Sequence, residues 1–219
     1  MLKDIIIDYK TISKVLFKNV NYPWEVLPKI KEEIINLGNS LDKEKYKEID
    51  KNIWIGENVK IDKLATIIAP CIIDSNTEVR PGAYLRGNVI IGKNCVIGNS
   101  VEIKNSIIFD ECQIPHYNYV GDSIIGYHSH LGAGVILSNL KNDKSNITIK
   151  YNGENLETNL RKMGSIISSY VDVGCNSVLF PGTIIKKNTS IYPLVRVRGV
   201  IEENSIMKSD DVIVRKEER

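Results

Sequence analysis

Residues 53–103 read IWIGENVKIDKLATIIAPCIIDSNTEVRPGAYLRGNVIIGKNCVIGNSVEI. Aliphatic residues recur six apart through the whole stretch: Ile55, Ile61, Ile67, Ile73, Val79, Leu85, Ile91, Ile97 and Ile103, with Phe109 and Pro115 continuing the register. Four places after each aliphatic stands a smaller residue: Val59, Ala65, Cys71, Thr77, Ala83, Val89, Cys95 and Val101, with Ile107 the largest of the set. A second run holds Ile167, Val173, Leu179, Ile185, Ile191 and Val197, with Val171, Ser177, Thr183, Thr189 and Val195 at the fourth places. An α-helix repeats about every 3.6 residues and a lone strand every second residue. Neither sustains a six-residue beat, whereas a hexapeptide solenoid does.

In such a solenoid the aliphatic fills the core and the small residue fits a tight corner. Three hexads close one triangular coil, so residues 18 apart stack in ladders. The pattern therefore predicts a mainly β fold: a left-handed parallel β-helix, an exception to the right-handed crossover rule for parallel strands. Pro81-Gly82 and Pro181-Gly182 carry the Pro-before-Gly order of a type II turn.

Outside the beat lie residues 1–52, read as a helical and extended cap. Within them PWEVLPKIKEEIINLG places Trp24, Leu27, Ile30, Ile34 and Leu37 on one helical face, with Gly38 where a C′ glycine belongs. Pro28 either starts this helix or kinks it. The segment is expected to cover the open end of the solenoid. The β-helix is expected over 53–200, with a slip of register near Pro115 and an excursion at 139–161. That excursion contains Asn152-Gly153, a hairpin signal. It is either a functional loop or a surface insertion. The tail, 201–219, is expected to fray.

The chain has 219 residues, with 29 basic and 27 acidic ones and a net charge of +2. That balance argues against a nucleic-acid or membrane-surface partner. No apolar run reaches the length of a membrane span, and no signal-peptide core begins the sequence, so a cytoplasmic location is expected. The cysteines are 71, 95, 112 and 175; Cys71 and Cys95 occupy inward corner positions and are read as buried thiols.

Chemistry-bearing residues gather near the slip. His116, His128 and His130 fall within fifteen residues. A neutral imidazole at His116 suits a general base; the other reading is a hydrogen-bonded structural histidine. His128 and His130 point the same way if their segment is extended, yet two imidazoles are too few for a metal centre unless His116 joins them, and no metal is expected. Arg86 and Lys104 are 18 apart and stack on adjacent coils. They either bind a phosphate or form a pair of solvated cations.

VEIKNSIIFDECQIPHYNYVGDSIIG followed by HLGAGVILSNL resembles the acetyltransferase half of bifunctional glucosamine-1-phosphate N-acetyltransferase/UDP-N-acetylglucosamine pyrophosphorylase. Archaeal sugar-phosphate nucleotidyltransferases carry a similar half. The resemblance covers roughly 53–200 and implies a homotrimeric left-handed β-helix that uses acetyl-CoA and acts on a sugar or sugar phosphate. It implies that His116 is the catalytic base and that Asn139 lies near the reacting centre. It places Arg86 and Lys104 on the sugar phosphate, Tyr119 on the sugar, and His130 where an asparagine orients that sugar. Ala133, Gly134 and Cys175 fall at the cofactor positions, with the glycines of Gly132-Ala133-Gly134 allowing close approach of the pantetheine arm. The chain departs from the family at His130, at Leu140 (tyrosine in the bacterial enzymes), at Cys175 (serine) and at Leu194 (smaller). Nothing resembles the nucleotide-binding half, so no pyrophosphorylase activity is expected. Two other classes compete: a non-catalytic hexapeptide assembly or sugar-nucleotide sensor, and a metal hydratase like the gamma-type carbonic anhydrases, whose histidine spacing fits these intervals badly.

Overall fold

The computed structural model describes residues 11–217. The chain winds as a left-handed β-solenoid. Each coil lays one short strand on each of three sheets, in the repeating order sheet one, sheet two, sheet three. Sheet one runs from Ile53–Gly56 through Cys71–Ile73 and on to Val200–Ile201; sheet two includes Gln113–His116, His130–Leu131 and Asp172–Val173; sheet three includes Tyr84–Leu85, Glu102–Lys104, Tyr119–Gly121 and Ile136–Leu137. Neighbouring coils pair in parallel.

The core is the stack of inward aliphatics that the six-residue beat predicts, from Ile73 through Val79, Leu85, Ile91, Ile97 and Ile103, and again from Ile167 to Val197. Cys71 and Cys95 are buried thiols, as is Cys112, and burial pushes the Cys71 thiol up to about 12.

The register does not break near Pro115. It shortens twice, by one residue each time, at a single corner. Cys71 pairs with Val89, an 18-residue coil, but Ile90 pairs with Ile107 and Ile107 with Ile124, coils of 17. The inward line thus runs Ile103, Ile108, Ile114, Val120, Ile125, Leu131, Leu137. Phe109 is off this line and faces outward, its ring edge-on to Phe17 at 5.7 Å. Pro115 is also off it, half-buried at the surface. Buried Ser106, not Ile107, takes the small corner position. The cause is turn geometry. The preceding coil turns this corner with two left-handed residues, Gly87 (φ 82°) and Asn88 (φ 54°); the next two turn it with one each, Asn105 (φ 48°) and Asp122 (φ 49°). Asparagine and aspartate enter this region readily because their short side chains bond locally.

Residues 11–41 cover a flank of the prism, and Tyr46–Asp50, in the same N-terminal segment, edges its first coil. The outward residues of sheet one form an apolar ladder: Trp54, Ile72, Ile90, Ile107, Ile124, Ile166 and Ile184. Leu16, Phe17, Trp24, Val26, Leu27, Ile30 and Ile34 pack onto it. Pro28 separates a 3₁₀ turn, Pro23–Val26, from the α-helix Ile30–Ser40. Gly38 lies within that helix, not at C′. A Cβ there would stand 2.4 Å from the Trp54 ring, so the glycine lets helix and sheet approach. Each end carries one antiparallel strand. Tyr46–Asp50 pairs with Ile53–Gly56 at one end, and Ser205–Ser209 pairs with Val212–Arg215 at the other. The tail is therefore a paired hairpin as far as Arg215. Antiparallel edges of this kind blunt a solenoid's open ends.

The excursion forms the hairpin that Asn152-Gly153 announces, Thr148–Tyr151 against Glu154–Glu157. It lies on the same flank: Ile147, Ile149 and Met163 join the N-terminal cluster, and the Lys186 ammonium donates to the Tyr151 hydroxyl at 2.7 Å.

Candidate functional site

Two corners of the prism carry the candidate residues, at opposite edges of sheet three. At the edge shared with sheet one, Arg86, Lys104, Tyr119 and Asn139 come together on four successive coils. The Tyr119 hydroxyl accepts from the Asn139 amide at 3.2 Å. Both side chains arch over Gly121, where a Cβ would lie 2.6 Å from the Tyr119 oxygen and 2.7 Å from the Asn139 nitrogen. Burial, then the charge of Asp122, holds the Tyr119 hydroxyl above the usual tyrosine range.

Each cation is paired. The Arg86 guanidinium donates to Glu102 at 2.5 Å and the Lys104 ammonium to Asp122 at 3.3 Å. The Arg86 pair is exposed, whereas the Asp122 side chain is nearly buried. Exposed pairs are worth about 0–1 kcal/mol, so Glu102 holds Arg86 only weakly. Neither Glu102 nor Asp122 emerged as a site residue from sequence reasoning. Both stand in the quoted motif, and Asp122 carried a usable signal, a charged residue at a left-handed corner where asparagine suffices.

At the other edge, shared with sheet two, the chain stacks His116, Ala133, Gly134 and Cys175. The Gly134 amide donates to the His116 carbonyl at 3.0 Å, and the Asn176 amide to the Ala133 carbonyl at 2.8 Å. His116 is exposed, its ring outside the prism. Its backbone N–H donates to buried Asn118 at 3.1 Å, and the Asn118 amide donates to the Gly132 carbonyl at 2.7 Å. Asn118 thus pins His116 to the glycine corner one coil on. A Cβ on Gly132 would meet the Cys175 nitrogen at 2.7 Å and one on Gly134 the Asn176 side-chain oxygen at 2.2 Å. The two glycines make room for the next coil, while Ala133 and exposed Cys175 edge the open surface. Leu194 follows on the same corner, its amide on the Cys175 carbonyl at 2.9 Å and its side chain exposed.

The three histidines do not converge. His128 sits at a left-handed corner (φ 53°) between sheets one and two, 3.2 Å from Glu111. His130 lies on the outer face of sheet two, its ring 2.8 Å from Asp172, and that contact holds the Asp172 carboxyl below the usual range. The shared direction expected of His128 and His130 fails because the corner bends between them. His130 joins neither group. Among the described residues no three metal-ligating side chains form a cluster, and no helix is long and apolar enough to cross a membrane.

Fold and corners together define a hexapeptide-repeat protein of the left-handed β-helix class. Its curated sequence relatives are named as bifunctional proteins. The chain is 33% identical over 207 residues to the bifunctional protein GlmU of Methanococcus maripaludis, covering 91% of this chain and 49% of that protein. It is 33% identical over 181 residues to the bifunctional sugar-1-phosphate nucleotidylyltransferase/acetyltransferase of Sulfurisphaera tokodaii, covering 80% of this chain and 44% of that one. The chain spans about half the length of these relatives. Residues 67–158 match the family model described as the GMPPB C-terminal domain. Among solved structures, a mutant of AntD, an N-acyltransferase from Bacillus cereus, aligns at 16% identity and a TM-score of 0.44, over 80% of this chain and 91% of that one.

Proposed function

We propose that this chain is an acetyl-CoA-dependent acetyltransferase whose acceptor is an amino sugar or sugar phosphate. The observation that carries the reading is the convergence of Lys104, Tyr119 and Asn139 at one corner, each donated by a different coil. Arg86 and Lys104 hold the acceptor's phosphate, exchanging their carboxylates for it. Tyr119 and Asn139 present a hydroxyl and an amide to the sugar. The acyl donor lies along the other edge, past Ala133 and Cys175, and supplies the activated acetyl group.

His116 acts as general base. It takes the proton from the acceptor's attacking amine as the nitrogen bonds to the acetyl carbon, and the imidazolium then delivers that proton to the departing sulfur. The neighbouring N–H groups of Gly132 and Gly134 are bonded to the Val173 and His116 carbonyls, so the Ala133 N–H is the backbone donor assigned to the oxyanion. Within one chain His116 and Lys104 stand at opposite edges of sheet three. A homotrimer resolves this: a neighbour's edge brought against sheet three sets one subunit's imidazole beside another's phosphate site.

His116→Ala tests the reading. A positioned base contributes about 10²–10⁴-fold, so transfer should fall by that factor with folding and assembly intact. Turnover near wild type would remove His116 from the mechanism. A second reading, a non-catalytic sugar-nucleotide sensor, draws on exposed Leu194 standing beside Cys175 at the donor edge. Acetyl-CoA should raise the melting temperature under the first reading and leave it unchanged under the second.

A further inference from the structure

We propose that Asp122 is a positioning residue for the acceptor site, its carboxylate fixing Asn139 and Lys104 where the acceptor meets them. This rests on the acetyltransferase reading above.

Asp122 is 5% exposed. Its carboxylate receives three donors: the Lys104 ammonium at 3.3 Å, the Asn105 amide at 2.9 Å and the Asn139 amide at 2.5 Å. Its backbone is held as firmly, its N–H on the Lys104 carbonyl at 2.9 Å and its carbonyl under the Gly164 amide at 2.9 Å. One residue therefore ties the coil of Lys104 to both ends of the excursion, Asn139 where it leaves and Gly164 where it returns. Asn139 relays the restraint to the Tyr119 hydroxyl at 3.2 Å.

The turn does not require the charge. Asn105 and Asn88 take the left-handed conformation at the same corner one and two coils earlier, and asparagine enters that region as easily as aspartate. A carboxylate taken out of water is costly unless several donors satisfy it. A structural corner would use asparagine and avoid the cost. The charge is explained by what it holds: two amide donors and an ammonium, all pointing at one acceptor-only group.

Asp122→Asn separates the roles. The substituted amide keeps one acceptor oxygen and turns its NH₂ toward the NH₂ of Asn139 or Asn105, so one of those bonds is lost. The experiment measures acetyl transfer from acetyl-CoA to glucosamine 1-phosphate, galactosamine 1-phosphate and glucosamine by wild type, Asp122→Asn and His116→Ala, with melting temperatures for each. The expected result is a kcat about 10–100-fold lower in Asp122→Asn, an unchanged KM for acetyl-CoA, and a wild-type melting temperature. Wild-type kcat and acceptor KM in Asp122→Asn, with His116→Ala inactive, would overturn the positioning role and leave the acetyltransferase reading standing. A drop in melting temperature with no kinetic change would make Asp122 structural only. No transfer by wild type to any of the three would sink the underlying reading and this inference with it.

Discussion

The Asn139 amide meets the Tyr119 hydroxyl at 3.2 Å directly above Gly121. The two side chains come from adjacent coils, and they can touch only because the residue beneath them has none. Gly121 has no positive φ, so its role is space and not turn geometry.

Gly121→Ala should therefore fold normally and lose function. The added methyl would stand 2.6 Å from the Tyr119 oxygen and 2.7 Å from the Asn139 nitrogen, the far ends of two side chains, so the side chains and not the backbone must give way. Displacing positioned groups by about 1 Å costs up to roughly 10²-fold. Steady-state transfer kinetics beside a thermal melt would show kcat reduced with the melting temperature kept; unchanged kinetics would dissociate the Tyr119–Asn139 contact from acceptor binding.

If Lys104 binds phosphate, its loss should be selective. Lys104→Met should raise KM for a phosphorylated amino sugar about 10-fold or more, the worth of a charge-assisted bond, and alter KM for the unphosphorylated sugar far less. Equal effects on the two acceptors would assign the cation to holding Asp122.

Gly38→Ala sets two effects against each other. Alanine in a helix interior gains about 0.5–1 kcal/mol over glycine. Here the methyl would sit 2.4 Å from the rigid Trp54 indole, and overpacking costs about 1–3 kcal/mol. The clash wins, and chemical denaturation should show net destabilisation. A stabilised variant would mean that the helix rides farther from sheet one than described.

Asp110 gives stability a pH dependence of unusual sign. Burial pushes its carboxyl up to about 6, with the charge of Asp74 adding to the shift after other contributions. The folded state then binds the proton more tightly than the unfolded chain. Stability from this group is present at acid pH and is lost as pH rises through about 6. Asp110→Asn, which keeps an acceptor for the Lys93 amide now 3.1 Å away, should be the more stable protein at pH 7. It should also lose this decline between acid and neutral pH, as read from urea midpoints. Identical pH profiles for the two proteins would contradict the shift.

The sequence announced the coil and concealed its phase. From Ile55 to Ile103 and from Ile167 to Val197 each inward aliphatic stands where the beat puts it. Between those runs the strands contain the doublets Ile107-Ile108 and Ile124-Ile125, one member facing the core and the other the N-terminal helices. Where both faces of a strand are apolar, hydrophobicity no longer marks which residue points inward, and a one-residue contraction passes unseen. The same doublets hold the missed clue to the flank. Ile72 and Ile90, each just before a core isoleucine, are outward apolar residues awaiting a cover. Serines at 106 and 123 mark the true corners, 17 apart. For the candidate site, the stacking of Arg86 and Lys104 follows from their 18-residue spacing, whereas the meeting of Tyr119 with Asn139 depends on which corner each coil presents and leaves no mark in the spacing.

The helices and hairpin laid along sheet one have a consequence for assembly. A three-sided column with one wall sealed by its own chain offers only two walls to company. Any ring of such columns must close through those two, which form between them the edge lined by His116 and Ala133.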